Sequence, residues 1–180
     1  MATGLNFKCM DNKKICITFA GAVGSSKTPI ANYLSTKLSL PVFNNDAIRS
    51  EIIEDFGIFN DNEHIKRRNS RLEEVIKNGH SFICDVSVDR EWKDFKEILS
   101  SHGYDFFIIS IDLSKNLLTK FYKAKKYLES LERIDELIQD HDNFLSQYSD
   151  DVNIHITDKD FIDRMQIAYD EVSKYLESGN

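Results

Sequence analysis

The chain has 180 residues, 41% apolar and 29% charged, with only 7 Gly and 2 Pro, which excludes a disordered, collagen-like or linker-rich protein and predicts one domain with a proper core. Its longest apolar run, residues 106–111, is strand-sized and far short of the roughly 20 residues that a membrane span requires. The net charge of −7 is matched by residues 129–151 alone, where eight acids face Arg133, and an acidic chain is a poor generic binder of long nucleic acid, whose affinity comes from neutralised phosphates.

In chain order, the first twelve residues show no apolar leader, and Cys9, Cys16 and Cys84 are odd in number and widely spaced; together these predict a reduced, cytoplasmic location. Ile15 to Phe19 is a β-branched, apolar run that reads as a buried strand entering a glycine turn. From Thr28 the apolar residues recur at Ile30, Tyr33, Leu34 and Leu38, one face of a helix, with Pro29 tolerated in its first turn. Leu40 to Phe43 is a second strand, after which Asn45 or Asp46 caps a helix carrying Ile48, Ile52 and Ile53. Ile65, Leu72, Val75 and Ile76 trace one stripe of a helix that stops at Asn78-Gly79.

Residues 81–86 form a third strand, 91–99 a helix and 104–112 a fourth strand. A basic helix over 117–128, an acidic helix over 131–145, a last strand over 152–156 and a closing helix follow. Five strands alternating with helices predict an α/β fold, with a mostly parallel sheet covered on both faces. No C-x-x-C occurs, and His64, His80, His102, His141 and His155 are scattered, so no zinc or redox site is expected.

Ligands of a parallel α/β sheet bind at the carboxyl ends of its strands. Three features fall there: residues 21–28 after the first strand, Asp46 after the second and Asp85 at the end of the third. Gly21, Ala22, Val23, Gly24, Ser25, Ser26, Lys27 and Thr28 nearly match the phosphate-loop pattern G-x-x-x-x-G-K-[ST]. In that pattern backbone N–H groups and a helix N-terminus face phosphate oxygens, the lysine reaches the β- and γ-phosphates, and the hydroxyl binds magnesium. Ser26 stands where the pattern has glycine, so its Cβ must fit between loop backbone and phosphate.

Asp46 is placed to accept the proton of an attacking hydroxyl, and Arg49, one helical turn on, to grip an anionic substrate; taken alone, the pair also reads as a helix cap and a surface arginine. Asp85 is placed to orient a magnesium-bound water beside Thr28, or to serve as a turn residue before Ser87.

The runs Phe19 to Thr28 and Leu40 to Arg49 resemble the small P-loop kinases related to polynucleotide kinase, a group that includes the zeta-toxin, gluconate kinase and chloramphenicol phosphotransferase types and continues with D-x-x-R after strand two. The resemblance spans residues 15–126 in motif order. It implies the three-layer α/β/α fold of P-loop nucleoside triphosphate hydrolases, with a parallel five-stranded sheet in the order 2-3-1-4-5. It also implies ATP-dependent phosphoryl transfer to a hydroxyl of a small molecule or of a nucleotide or polynucleotide end. In that scheme Lys27 lies on the phosphates, Asp46 is the base, Arg49 holds the acceptor, and Thr28 and Asp85 serve magnesium.

Members of the group carry arginines in a mobile lid after strand four. This chain offers Lys120 and Lys123, with Lys126 alongside, in a candidate lid over 114–150; the same lysines also read as a solvated helix face. Arg67, Arg68 and Arg71 line either the acceptor cleft or an exposed helix face. The expected partners are ATP, magnesium and a small hydroxyl-bearing acceptor. The rival expectations are a nucleotide-binding module without transferase activity, and a scaffold that keeps the fold and presents residues 129–151 as its contact surface.

Overall fold

A computed structural model describes residues 14–178; Cys9 and the other features read in the first twelve residues lie outside them. Strand β1 (Lys14–Ala20) is buried at every residue after Lys14, as a strand must be when helices cover both faces of its sheet. It lies between β3 (Phe82–Ser87) and β4 (Tyr104–Asp112), with β2 (Val42–Asn44) beyond β3 and β5 (Val152–Thr157) beyond β4. All four pairings are parallel, and the order β2-β3-β1-β4-β5 is the one the resemblance implies.

On one face, α1 (Lys27–Leu38) and α8 (Arg164–Ser178) bury Ile30, Leu34, Ala168 and Val172 against Ile17, Phe19 and Ile109. On the other face, α2 (Asn45–Phe56), α3 (Asp61–Asn78) and α4 (Trp92–Ser101) bury Ile52, Ile76 and Leu99 against Cys16, Phe82 and Ile108. Between β4 and β5 come α5 (Lys115–Lys125), α6 (Leu128–Glu132) and α7 (Ile134–Tyr148). This segment enters both cores: Leu118, Tyr122 and Ile134 join the first, Phe144 the second.

Several local details differ from the sequence expectations. The cap of α2 is Asn44, whose Oδ1 accepts from the Ala47 N–H at 3.0 Å, so Asp46 lies within the first turn and is not the cap. The basic helix stops at Lys125 because Lys126 adopts φ 57° and the Tyr127 N–H returns to the Tyr122 carbonyl at 2.9 Å, a left-handed helix end made with lysine in place of glycine. Ile65 is 51% exposed; α3 meets the sheet only through its C-terminal half, where Ile76 is buried.

Trp92, the only tryptophan, is fully buried, and its Nε1 donates at 2.8 Å to Asp151, which also takes the Lys96 ammonium at 2.6 Å. Trp92→Phe removes a donor from a largely buried carboxylate and is expected to cost about 1–3 kcal/mol, measured by urea unfolding followed with far-UV circular dichroism. A loss below about 0.5 kcal/mol would show that the bond carries no stability.

Candidate functional site

β1 ends at the centre of the sheet, so the loop after it emerges between the carboxyl ends of β3 and β4. That loop takes three positive φ values: Gly21 at 127°, Gly24 at 71° and Ser26 at 88°. A Cβ on Gly21 would lie 2.8 Å from the Ile111 carbonyl oxygen, and one on Gly24 would lie 3.2 Å from the Tyr122 ring, so both positions require glycine on two counts.

Ser26 adopts the conformation for which the pattern uses glycine, at a cost of about 1–2 kcal/mol for a residue with a Cβ. Its hydroxyl accepts from Arg164 Nε at 2.8 Å, at the start of α8. A hydrogen bond from a charged donor contributes about 1.5–3 kcal/mol, enough to offset that strain. Arg164 is itself fixed: Nη1 donates to the Phe161 carbonyl at 2.7 Å, and the guanidinium lies 4.1 Å from the Phe161 ring centroid.

Lys27 opens α1 and folds its ammonium back into the bend, donating to the Gly21 and Ala22 carbonyls at 2.7 Å each. Burial lowers its pKa to about 8, against the pull of Asp89, Asp85 and Asp46. The neighbouring Thr28 hydroxyl faces Asp85, a β3 residue in register with Asn44 of β2, whose Nδ2 donates to it at 3.4 Å. Burial raises the Asp85 pKa and Asp46 adds to the rise, while Thr28 and Lys27 oppose it.

A half-buried carboxylate short of donors, beside a hydroxyl, is an all-oxygen set of the kind magnesium takes, with phosphates and water completing its shell. Among the described residues no three His, Cys, Asp or Glu side chains group into a protein-only metal cage. The residues present therefore fit a cation held jointly with phosphate.

Asp46 and Arg49 are exposed on α2. The charge of Asp46 reaches both Lys27 and Asp85, whereas the Arg49 guanidinium stacks 3.9 Å from the Phe59 ring centroid. Lys120 and Lys123 are exposed on α5. The lysine on the loop is Lys125, which donates to the Gly24 carbonyl at 2.8 Å and whose pKa is lowered by burial and then by Arg164. Arg67 and Arg71 are tied to Glu51, and Arg68 to Glu91.

Three further residues bear on the loop without having been singled out in the sequence. Asp89 accepts from the Gly21 N–H at 3.0 and 3.2 Å, pinning the start of the bend. His141 of α7 is nearly buried and faces Asp89 through Nδ1 at 3.4 Å and Asp112 through Nε2 at 2.8 Å. Asp112 also takes Ser110 Oγ and His155 Nδ1. Burial pushes the His141 pKa down, but its hydrogen bonds to Asp112 and Asp89 outweigh this and hold it up at about 9. Both carboxylates are in turn held below their ordinary range: burial pushes each up, and His141, together with Gly21 and Lys27 at Asp89 and with Ser110 and His155 at Asp112, more than reverses it. Their only sequence signal was an acid just beyond a strand end.

No protein-family model matches the chain, and no curated protein matches it in sequence. Solved structures do match its fold. It aligns with APS kinase of Mycobacterium tuberculosis at 15% identity over 89% of this chain and 98% of that one, TM-score 0.58. Shikimate kinase of Aquifex aeolicus aligns at 16% identity over 91% and 97%, TM-score 0.55, and a gluconokinase of Sinorhizobium meliloti at 11% over 93% and 95%, TM-score 0.51. The fold is that of the small P-loop kinases.

Two outcomes follow for this P-loop fold. Arg164→Ala is expected to destabilise the protein by about 1–2 kcal/mol, and by less in a Ser26→Gly background where the hydroxyl that accepts from Arg164 is gone; urea midpoints read by Trp92 fluorescence test this, and a coupling below about 0.5 kcal/mol would show the two side chains to be independent.

The second concerns pH. The folded pKa of His141, about 9, exceeds its unfolded value of about 6.5, so its stabilisation is complete below pH ~6.5 and is lost as the pH rises through 9. Wild type should lose up to about 3 kcal/mol across that window, and His141→Gln should lack this slope; parallel profiles would remove His141 as the cause.

Proposed function

We propose that the protein is a phosphotransferase that moves the γ-phosphoryl group of ATP to a hydroxyl of a small molecule. The observation that carries this is the Lys27 ammonium, seated in a glycine-type bend at the carboxyl edge of the sheet and within reach of the charges of Asp89, Asp85 and Asp46. The shared fold supports the same reaction class, since the proteins it aligns with are kinases of APS, shikimate and gluconate.

In this reading the backbone of residues 21–28 and Lys27 hold the phosphates, and Thr28 and Asp85 hold magnesium. ATP supplies the phosphoryl group, and magnesium neutralises charge on its oxygens. Asp46 takes the proton of the acceptor hydroxyl as its oxygen bonds to the γ-phosphorus; the bond from that phosphorus to the β–γ bridging oxygen breaks, and ADP leaves with the electron pair. Arg49 lies near enough in sequence to Asp46, one helical turn on, to help orient an acceptor.

Residues 114–150 act as the lid. Lys125 lies on the loop, Arg164 adds charge from α8, and Lys120 and Lys123 carry further positive charge on the exposed side of α5. A reduced, cytoplasmic setting suits Cys16 and Cys84, both buried free thiols. Among the described residues no helix is long and apolar enough to cross a membrane.

ATP consumption across a panel of hydroxyl compounds tests the reading. Asp46→Asn is expected to lower turnover by about 10²–10⁴-fold with little change in ATP affinity, and undiminished turnover would remove Asp46 from the mechanism. ATP binding without acceptor-dependent ADP from any alcohol would leave a nucleotide-binding module instead.

Lys27 supplies a separate check. A polyphosphate beside it raises its pKa from about 8, so nucleotide binding takes up a proton near pH 8–9 and weakens as the pH rises through 8. Calorimetry in buffers of different ionisation enthalpy reads that uptake, and its absence would place Lys27 away from the phosphates.

A further inference from the structure

On the face of the sheet covered by α3 and α4, these two helices stand apart and leave a cavity of about 610 Å³. Its floor is Phe43, Cys84 and Val86 from the sheet, and its walls carry Leu72 and Ile76 of α3 and Phe95 of α4. The volume falls in the range of small-molecule sites, roughly 300–1,000 Å³, and the apolar lining is typical of them. One end reaches Ser87 and Val88. Both residues are bonded to the chain around the phosphate loop: Ser87 Oγ donates to the Gly21 carbonyl at 2.9 Å, and the Val88 N–H to the Phe19 carbonyl at 2.9 Å. The cavity therefore ends beside the loop, two residues beyond Asp85.

The charges on the lining point one way. Its basic side chains are Arg68 and His102, and Arg68 is engaged by Glu91 at 2.9 Å and by Asn69 at 3.2 Å. His102, at the far end, has Nδ1 3.0 Å from the Ile98 carbonyl. Against them stand three carboxylates: Glu91 is the one that engages Arg68, Glu73 is paired with Lys77 at 2.6 Å, and Asp94 makes no ion pair among the described residues. Arg49, the residue placed to grip an anion, is not on the lining and stacks on Phe59. A carboxylate or phosphate entering this space would be desolvated among apolar groups and acids with no free cation to meet it, a strongly unfavourable exchange. An uncharged or cationic body would not suffer it.

We propose that this cavity receives the acceptor, and that the acceptor is an alcohol with an apolar body and no negative charge. The reaction at its hydroxyl rests on the phosphotransfer reading above, while the binding does not. Three probes share one aromatic body and differ in charge: phenylpropanol is neutral, phenylalaninol cationic and phenyllactate anionic. Titration of the full chain without nucleotide, followed by ligand-observed NMR, is expected to show the first two binding and phenyllactate weaker by at least about tenfold.

Asn69→Trp, at the exposed rim of α3, should block the opening and weaken phenylpropanol by about tenfold or more with the ATP dissociation constant unchanged; Ile98→Trp does the same from the α4 side if the first variant does not fold. Preference for phenyllactate, no binding of any probe, or binding untouched by either variant would overturn the proposal. Phenylpropanol bound by a protein that does not bind ATP would uphold the cavity and overturn phosphotransfer. ATP bound with no probe bound would overturn the cavity proposal alone, the phosphotransfer reading being decided by acceptor-dependent ADP.

Discussion

The chemistry of the sheet's carboxyl edge depends on a left-handed conformation at Ser26, because that residue turns the chain from the bend into α1 and so determines where Lys27 begins. Two of the three positive φ values in the bend are taken by glycines that steric contact makes obligatory. The third is held by an arginine 138 residues away, at the start of the last helix. Arg164 reaches Ser26 because α1 and α8 pack side by side through Ile30, Leu34, Ala168 and Val172. A loop that is local in sequence is therefore completed by a contact from the far end of the chain, and its shape is a property of the assembled domain.

The electrostatics of the bend follow from that shape. Lys27 is satisfied by two neutral carbonyls while burial works against its charge. Those bonds already have a charged donor; replacing the carbonyls by anionic oxygens makes the acceptor charged as well and adds an opposite charge beside a buried ammonium. The three acids near it are not equivalent. Asp89 is committed, to the Gly21 N–H on one side and His141 on the other. Asp85 and Asp46 retain unused acceptor capacity, and they are the two whose positions suit a cation and a hydroxyl.

The strands, the loop and both of these acids were legible in the sequence because each has a short-range signature: an apolar β-branched run, a glycine-containing turn before a helical stripe, an acid at a strand end; the order of the strands came only from the resemblance. Lys125 was not, because the helix was expected to run to 128, and a lysine in the left-handed cap position at 126 sends no such signal. Arg164 and His141 act across 138 and 52 residues, on Ser26 and Asp89, and no local pattern encodes such pairs. The cavity was hidden for a different reason. Periodicity names the stripe Ile65, Leu72, Val75, Ile76, but it does not say how closely a helix approaches its sheet, and Ile65 stays in solvent.

The acidic stretch shows how far charge counting alone misleads. Four of its eight acids are matched inside the chain: Asp135 by Lys115, Glu136 by Arg133, Asp140 by Arg90 and Asp151 by Lys96. The three exposed pairs contribute only about 0–1 kcal/mol each, so they are weak evidence of stability. Their effect is geometric: pairs from α5, α4 and the turn before α4 hold α7 and the residues after it against the body, the placement from which His141 reaches Asp89 and Asp112. Lys120 and Lys123, by contrast, make no ion pair among the described residues and share a helix with Lys125, which touches the loop. Unpaired positive charge is not confined to that helix, since Lys93 and Lys159 also make no ion pair among the described residues, but on α5 it lies beside the bend that follows β1.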